Sequence, residues 1–312
     1  MITMVTSRLR RMSLWDDRER ATLVALLQER PQAASWSAVA AEIIEAGSAR
    51  LVWEANHEQS LFDTDTPVPI AEAARQITGW RGAGLGVHTF RDASYPAQLR
   101  EIHQVPPVLF SRGALRPSEW AVSVVGSRRA TEHGVDWAAE VSTALVSAGI
   151  TVVSGLAAGI DTAAHIAALD AGGRTVAVLG TGINRVYPAV NRDLQERIAC
   201  EGLVLSQFWP DAPATKKSFP LRNATMSGYG RATIVVEAGE TSGARIQARV
   251  GVEHGRAVIL RDHVVRANEW ARALQHRPGV HVVSGVDEAL GVVAALRPDL
   301  DDVLTGVLTV DG

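Results

Sequence analysis

From Ala121 onward, short apolar runs rich in β-branched residues alternate with helix-length stretches: VSVVG, TVVSG, TVAVLG, LVLSQF, ATIVVEA, RAVIL and HVVSG. Runs that are apolar on both faces call for burial on two sides, as in the interior of a parallel sheet. The helical stretches between them carry the chain back, so that each strand starts from the same end. The expected fold is α/β: a doubly wound, mostly parallel sheet of the Rossmann type. Gly149, Gly172, Gly202 and Gly255 each fall between a helical stretch and the next strand, where a left-handed C-cap is expected.

The first part of the chain reads differently. From Leu14 to about Trp80 the periodicity is helical: Leu23, Leu26 and Leu27 share a face behind Asp16 and Asp17 as cap candidates. Val39, Ile43 and Ile44 repeat the pattern after Ser37, and the two prolines of DTDTPVPI, Asp63 to Ile70, mark a connection. The predicted organisation is a small helical domain over residues 1–80, a Rossmann-type domain over 81–297 and an acidic tail over 298–312.

At 312 residues, 46% apolar and 21% charged, the chain can bury a substantial core. Cys200 is its single cysteine, which excludes an internal disulfide and a multi-cysteine metal site and points to a reducing, cytoplasmic setting. The opening MITMVTSRLRRMSLW has no apolar run of signal-peptide length, and no later stretch approaches the ~20 apolar residues of a membrane helix. No membrane association is expected. With a net charge of −3, nucleic-acid binding would have to use a local basic patch.

In a parallel sheet the loops that follow the strands gather on one edge, where ligands of such folds bind. Three glycine-rich turns fall there: Gly126-Ser127-Arg128, Ser154-Gly155-Leu156-Ala157-Ala158-Gly159 and Gly180-Thr181-Gly182. Glycine lets backbone N–H groups approach a ligand, the following helix adds its positive end, and Arg128 adds a fixed cationic fork, a set suited to phosphate oxygens. The alternative is that each glycine serves only the geometry of a tight turn. None of the turns ends in Gly-Lys-Ser/Thr, and GTGINR lacks the third glycine of a dinucleotide fingerprint, so no nucleotide cofactor is expected.

After the fourth predicted strand, WPDAPATKKSFPLRN sets Lys216, Lys217 and Arg222 around Phe219. These are the chain's only two lysines among 31 basic residues, which singles the loop out. An aromatic face for a base, with cations for the backbone, is how single strands are held without reading sequence; the alternative puts Phe219 in the core. Asp161 and His165, at i and i+4, have the spacing of an acid/base pair, although a carboxylate in a first helical turn also serves the helix dipole. Glu237 ends a strand at the same edge without an evident partner. There is no zinc spacing, nucleophile elbow or acidic metal pair, so the chain reads as a binding protein and not as an enzyme.

DASYPAQLREIHQVPPVLFSRGAL (Asp92 to Leu115), VVGSR, SGLAAGIDTAAH, AVLGTGINRVYPAVNRDL, FPLRN and VVEAGETSGARIQA, in this order, resemble the DprA family, also called Smf, from about Gly82 to Ile259. The resemblance implies an extended Rossmann domain behind a helical one. It also implies binding of single-stranded DNA, homodimerisation and loading of a RecA-type recombinase during natural transformation. Arg128, Lys216, Phe219, Arg222 and Asn223 would line the strand, and the turns at Gly126, Gly155 and Gly180 would accept phosphates. Ala158 and Ala224 stand where the family usually has arginine, which removes two expected cations, while Arg245 of SGAR adds one. Leu260-Arg261-Asp262 replaces the family's VPG. In place of the C-terminal winged helix of many members, RANEWARALQ and PGVHVVSGVDEALGVVAALR predict one more helix, strand and helix. The competing expectation is a nucleotide-binding sensor or hydrolase like the lysine-decarboxylase-like phosphoribohydrolases, which share this kind of sheet; their PGGxGTxxE signature is missing here.

Overall fold

The structure, a computed structural model, describes residues 15–30, 35–57 and 66–297. The predicted tail over 298–312 lies outside the described residues. Among the described residues four α-helices come first: α1 (Asp17–Glu29), α2 (Trp36–Ala46), α3 (Ala49–Asn56) and α4 (Val68–Gly82). Asp16 caps α1 as expected, its carboxylate accepting from Glu19 N at 2.8 Å, and Leu23, Leu26 and Leu27 are fully buried. The cap of α2 is Ser35 and not Ser37: Ser35 Oγ accepts from Ala38 N, which starts the helix two residues earlier. Val39 and Ile43 are buried, but Ile44 faces solvent. Val68 to Ile70, expected in the connection, form the first turn of α4. Pro69 is tolerated there because the first turn does not need its N–H.

Nine strands follow among the described residues: β1 (Gly86–Thr89), β2 (Val108–Gly113), β3 (Ala121–Gly126), β4 (Thr151–Ser154), β5 (Thr175–Val178), β6 (Leu203–Ser206), β7 (Ala232–Glu237), β8 (Ala257–Arg261) and β9 (Val280–Val283). They form one sheet in the order β1-β2-β6-β5-β4-β3-β7-β8-β9. The seven predicted runs are β3 to β9, and every pairing among them is parallel. β1 and β2 extend the β6 edge in antiparallel sense and were not among the predicted strands.

Among the described residues the remaining α-helices are α5 (Glu132–Ser147), α6 (Ile160–Asp170), α7 (Arg192–Glu201), α8 (Ser218–Tyr229), α9 (Gly243–Glu253), α10 (Asp262–Ala267), α11 (Glu269–Leu274) and α12 (Val286–Ala295). Trp137 of α5, Ile160 of α6 and Val293 of α12 pack with Val124, Val152 and Ile259 in one apolar cluster. Leu26 of α1, Tyr229 of α8 and Trp270 of α11 belong to a second, which joins the N-terminal helices to the sheet without a break. The helix predicted over RANEWARALQ is split at Asn268, whose side-chain amide donates to the carbonyls of Ala238 and Val264.

Gly149, Gly172 and Gly255 adopt the expected left-handed conformation, with φ of 72°, 70° and 66°. Gly202 does not, at φ −140°. Its reason is close approach: a Cβ there would lie 2.3 Å from the Thr175 carbonyl oxygen. The chain leaves β3 for β4 on one side and reaches β7 on the other, so the loops after β3 and β7 diverge and open a crevice at the strand ends.

Candidate nucleic-acid interface

That crevice is a cleft of about 470 Å³ between the turn after β3, the start of α6, α8 and the turn into α9. The turn after β3 is held down at two points. Ser127 O accepts from Ile160 N at 3.2 Å, and Ser127 Oγ accepts from Arg129 N at 3.2 Å. Gly126 is needed because a Cβ would meet Ile160 Cγ1 at 2.5 Å and the Glu237 carbonyl at 2.8 Å. Arg128 and Arg129 follow, both exposed on the cleft wall and neither ion-paired with a described residue.

The Arg128 guanidinium stands over the Phe219 ring, 5.1 Å from its centroid. Phe219, in the first turn of α8, is half-buried and rests on Gly180, where a Cβ would fall 2.7 Å from its ring. Tyr187 flanks it at 5.6 Å between centroids. The ring therefore sits between the main cleft and a smaller depression of about 140 Å³ that Ala158, Thr181 and Tyr187 help line.

Beneath the ring, Arg222 is only 6% exposed. Its Nη1 donates to Val178 O at 3.0 Å and its Nε to Asn223 Oδ1 at 3.1 Å. The Asp161 carboxylate, also buried, accepts from the N–H groups of Gly155 at 3.1 Å and Ala157 at 3.3 Å. Burial pushes the Asp161 carboxyl up, with the positive Arg222 opposing it. Burial likewise pushes Arg222 down, with Asp161 opposing. The two charges offset each other inside the protein, so Arg222 braces the floor and the exposed positive charge on the wall is that of Arg128 and Arg129.

Several groups in the glycine turns already have partners. Gly155 N donates to Asp161, Gly182 N to Ala212 O at 2.8 Å, Ser154 Oγ to Val124 O at 2.7 Å, and Ser206 Oγ to Thr181 O at 2.6 Å. Gly180 O accepts from Ser218 Oγ at 2.6 Å, which ties its turn to α8. Gly159, at φ 79°, lies where a Cβ would be 2.3 Å from Ser127 O, and Gly182 where it would be 2.2 Å from Trp209 O. Close approach within the protein thus accounts for these glycines.

Asn223 lines the cleft and reaches Gly243 O at 3.4 Å, linking α8 to α9. Lys216 and Lys217 are exposed on the turn into α8, beside the cleft and not in its wall. Arg245 also lies off the wall, donating to Glu240 O at 3.1 Å. Of the two alanines that replace expected arginines, Ala158 borders the Phe219 ring, but Ala224 faces the other side of α8, in a separate cavity. The change at 224 therefore leaves the cleft itself untouched.

The acid/base candidates are structural. His165 is fully buried, its Nδ1 lies 2.7 Å from Thr175 Oγ1, and burial lowers its pKa to about 3. Glu237 accepts from Thr131 N at 3.1 Å and from Thr131 Oγ1 at 2.6 Å, and Thr131 Oγ1 accepts from Gly134 N to cap α5. Thr131 followed by Glu132 at the start of a helical stretch is the signal that could have found this partner. Among the described residues no group of three or more His, Cys, Asp or Glu is placed to hold a metal, and no helix is long and apolar enough to cross a membrane.

A doubly wound sheet with an arginine-over-phenylalanine wall at its switch point defines the class: a Rossmann-type α/β protein with a cleft at the strand ends. The chain belongs to the DNA recombination-mediator protein A family, whose model matches residues 86–292. It is 46% identical over 173 residues to protein Smf of Synechocystis sp., covering 54% of this chain and 44% of that one. The solved structure of DNA processing protein A (DprA) from Streptococcus pneumoniae superposes with a TM-score of 0.67 at 30% identity, covering 88% of this chain and 97% of that one. DNA processing protein A from Helicobacter pylori, solved for its single-stranded DNA binding mode, shares the fold at a TM-score of 0.59 and 22% identity, over 67% and 96% of the two chains. The chain spans about half the length of the curated relatives it matches, from 42% to 63%.

Proposed function

We propose that the strand-end cleft holds single-stranded DNA, with Phe219 as the platform for a base and Arg128, Lys216 and Lys217 as the backbone contacts. The observation that carries this is the Arg128–Phe219 stack at the cleft mouth, 5.1 Å from guanidinium to ring centroid. A flat apolar face beside unpaired cations suits a flexible strand whose bases are unstacked; a duplex presents no base face to such a ring. The turns at Gly126, Ser127, Gly155, Gly159, Gly180 and Thr181 shape the path, and Arg222 and Asn223 support it from below. Arg245, on α9 outside the wall, meets the strand only where it leaves the cleft.

The wider setting inferred from family membership is a cytoplasmic homodimer that delivers the bound strand to a RecA-type recombinase. The test is fluorescence anisotropy with a labelled oligo-dT, comparing the protein with the Arg128→Glu, Lys216→Glu double variant; pull-down of RecA with and without oligo-dT checks the partner. Unchanged affinity in the double variant would sink the site.

A further inference from the structure

Behind α8, on the side away from the cleft, lies a second cavity of about 350 Å³ closed by α2, the segment before β2 and the loop after β6. Phe208, Pro106 and Pro107 line it together with Trp36 and Trp209, whose rings meet edge to face at 4.9 Å. Walls of this kind accept a planar ring.

Its polar groups are mostly donors. The carboxamide oxygen of Gln104 is paired with His254 Nε2 at 3.2 Å and that of Gln207 with Thr225 Oγ1, which leaves both amide N–H₂ groups to serve the cavity. Trp36 gives the wall its ring, while its indole N–H is buried, away from the cavity, with no acceptor among the described residues. Arg30, exposed and not ion-paired with any described residue, stands at the rim, and among the described residues no carboxylate lines the cavity.

We propose that this cavity is a nucleotide site separate from the DNA cleft: the base lies in the aromatic slot, its carbonyl and ring-nitrogen acceptors face Gln104 and Gln207, and its phosphate meets Arg30. An acidic side chain would answer the arginine but would bring no ring with several in-plane acceptors, whereas a nucleotide brings both, the ring in its base and the charge in its phosphate. The nucleotide comes either free or as the end of a strand. Leu221 and Ala224 border this cavity while Phe219 and Arg222 border the cleft, so a single helix separates the two sites.

The tryptophans give the readout. The four deoxynucleoside 5′-monophosphates, and in a second arm a 5′-phosphorylated oligo-dT, are titrated against the intrinsic tryptophan fluorescence of the full chain. Saturable quenching is expected with at least one probe, weakened tenfold or more by Ala224→Leu, which fills the cavity, and by Arg30→Glu. Arg30 is exposed, so that variant keeps the test valid if Ala224→Leu fails to fold. Quenching of this pattern by monophosphates indicates a free nucleotide, and by the oligonucleotide alone a strand end. The proposal is overturned by no quenching in either arm, by quenching indifferent to both variants, or by quenching lost in Arg128→Glu, which would assign it to the cleft. DNA anisotropy of the Arg128→Glu, Lys216→Glu variant reads the proposed cleft function independently.

Discussion

Nη1 of Arg222 occupies the space a side chain at position 155 would need: an ideal Cβ on Gly155 would lie 1.5 Å from it. The guanidinium cannot retreat without giving up its bond to Val178 O and its place near Asp161. Gly155→Ala is therefore expected to destabilise the protein by about 1–3 kcal/mol, the usual cost of overpacking, and to weaken DNA binding through the displaced floor. Urea denaturation and oligo-dT anisotropy on the same preparation check both.

Phe219 and Arg128 should separate by salt dependence. Phe219→Ala removes a stacking platform worth roughly 1–3 kcal/mol per base, with no change in the slope of log K against log salt. Arg128→Ala should lower that slope by about 0.7, the share of one phosphate contact on a single strand. Anisotropy titrations across a salt series distinguish them, and equal slopes for the two variants would count against Arg128 touching phosphate.

Acid should weaken the fold through His165. Its folded-state pKa is about 3, lowered by burial from an unfolded value near 6.5. Between those values the unfolded chain binds a proton that the folded one does not, so stability is complete above pH 6.5 and is lost as pH falls. At pH 5 the loss from this residue is about 2 kcal/mol, at 1.36 kcal/mol per pH unit. Denaturation midpoints of the wild type and His165→Gln between pH 5 and 7 should show a shallower pH slope in the variant.

Glu237 is assigned to the cap of α5 and not to chemistry. Glu237→Ala removes the carboxylate that holds Thr131 while the cap itself is kept, so it should cost no more than about 1 kcal/mol, the worth of a helix cap, with oligo-dT affinity retained. A variant of full stability that no longer binds DNA would contradict this.

The parallel half of the fold was legible because its strands are buried on both faces, and runs such as ATIVVE show that burial without a partner being known. β1 and β2 were not, since GVHT is short and alternately buried, and its pairing with β2 is a long-range event. At the site, Arg128 and Phe219 could be named from residue type and position. The part played by Gly155 could not: a glycine that admits phosphate and one that admits a buried arginine look alike until Arg222 is seen against it. Ala224 shows the same limit, because only the rotation of α8 decides which cavity it faces.

In the proposed function the cleft holds a single strand through Arg128, Lys216 and Phe219. Its most direct test is anisotropy of labelled oligo-dT at low and physiological salt, with duplex competitor, for the wild type and the Arg128→Glu, Lys216→Glu variant. Salt-sensitive binding that duplex does not displace, and that the double variant abolishes, is the predicted result. No binding by the wild type at low salt, or equal binding by the variant, would contradict it.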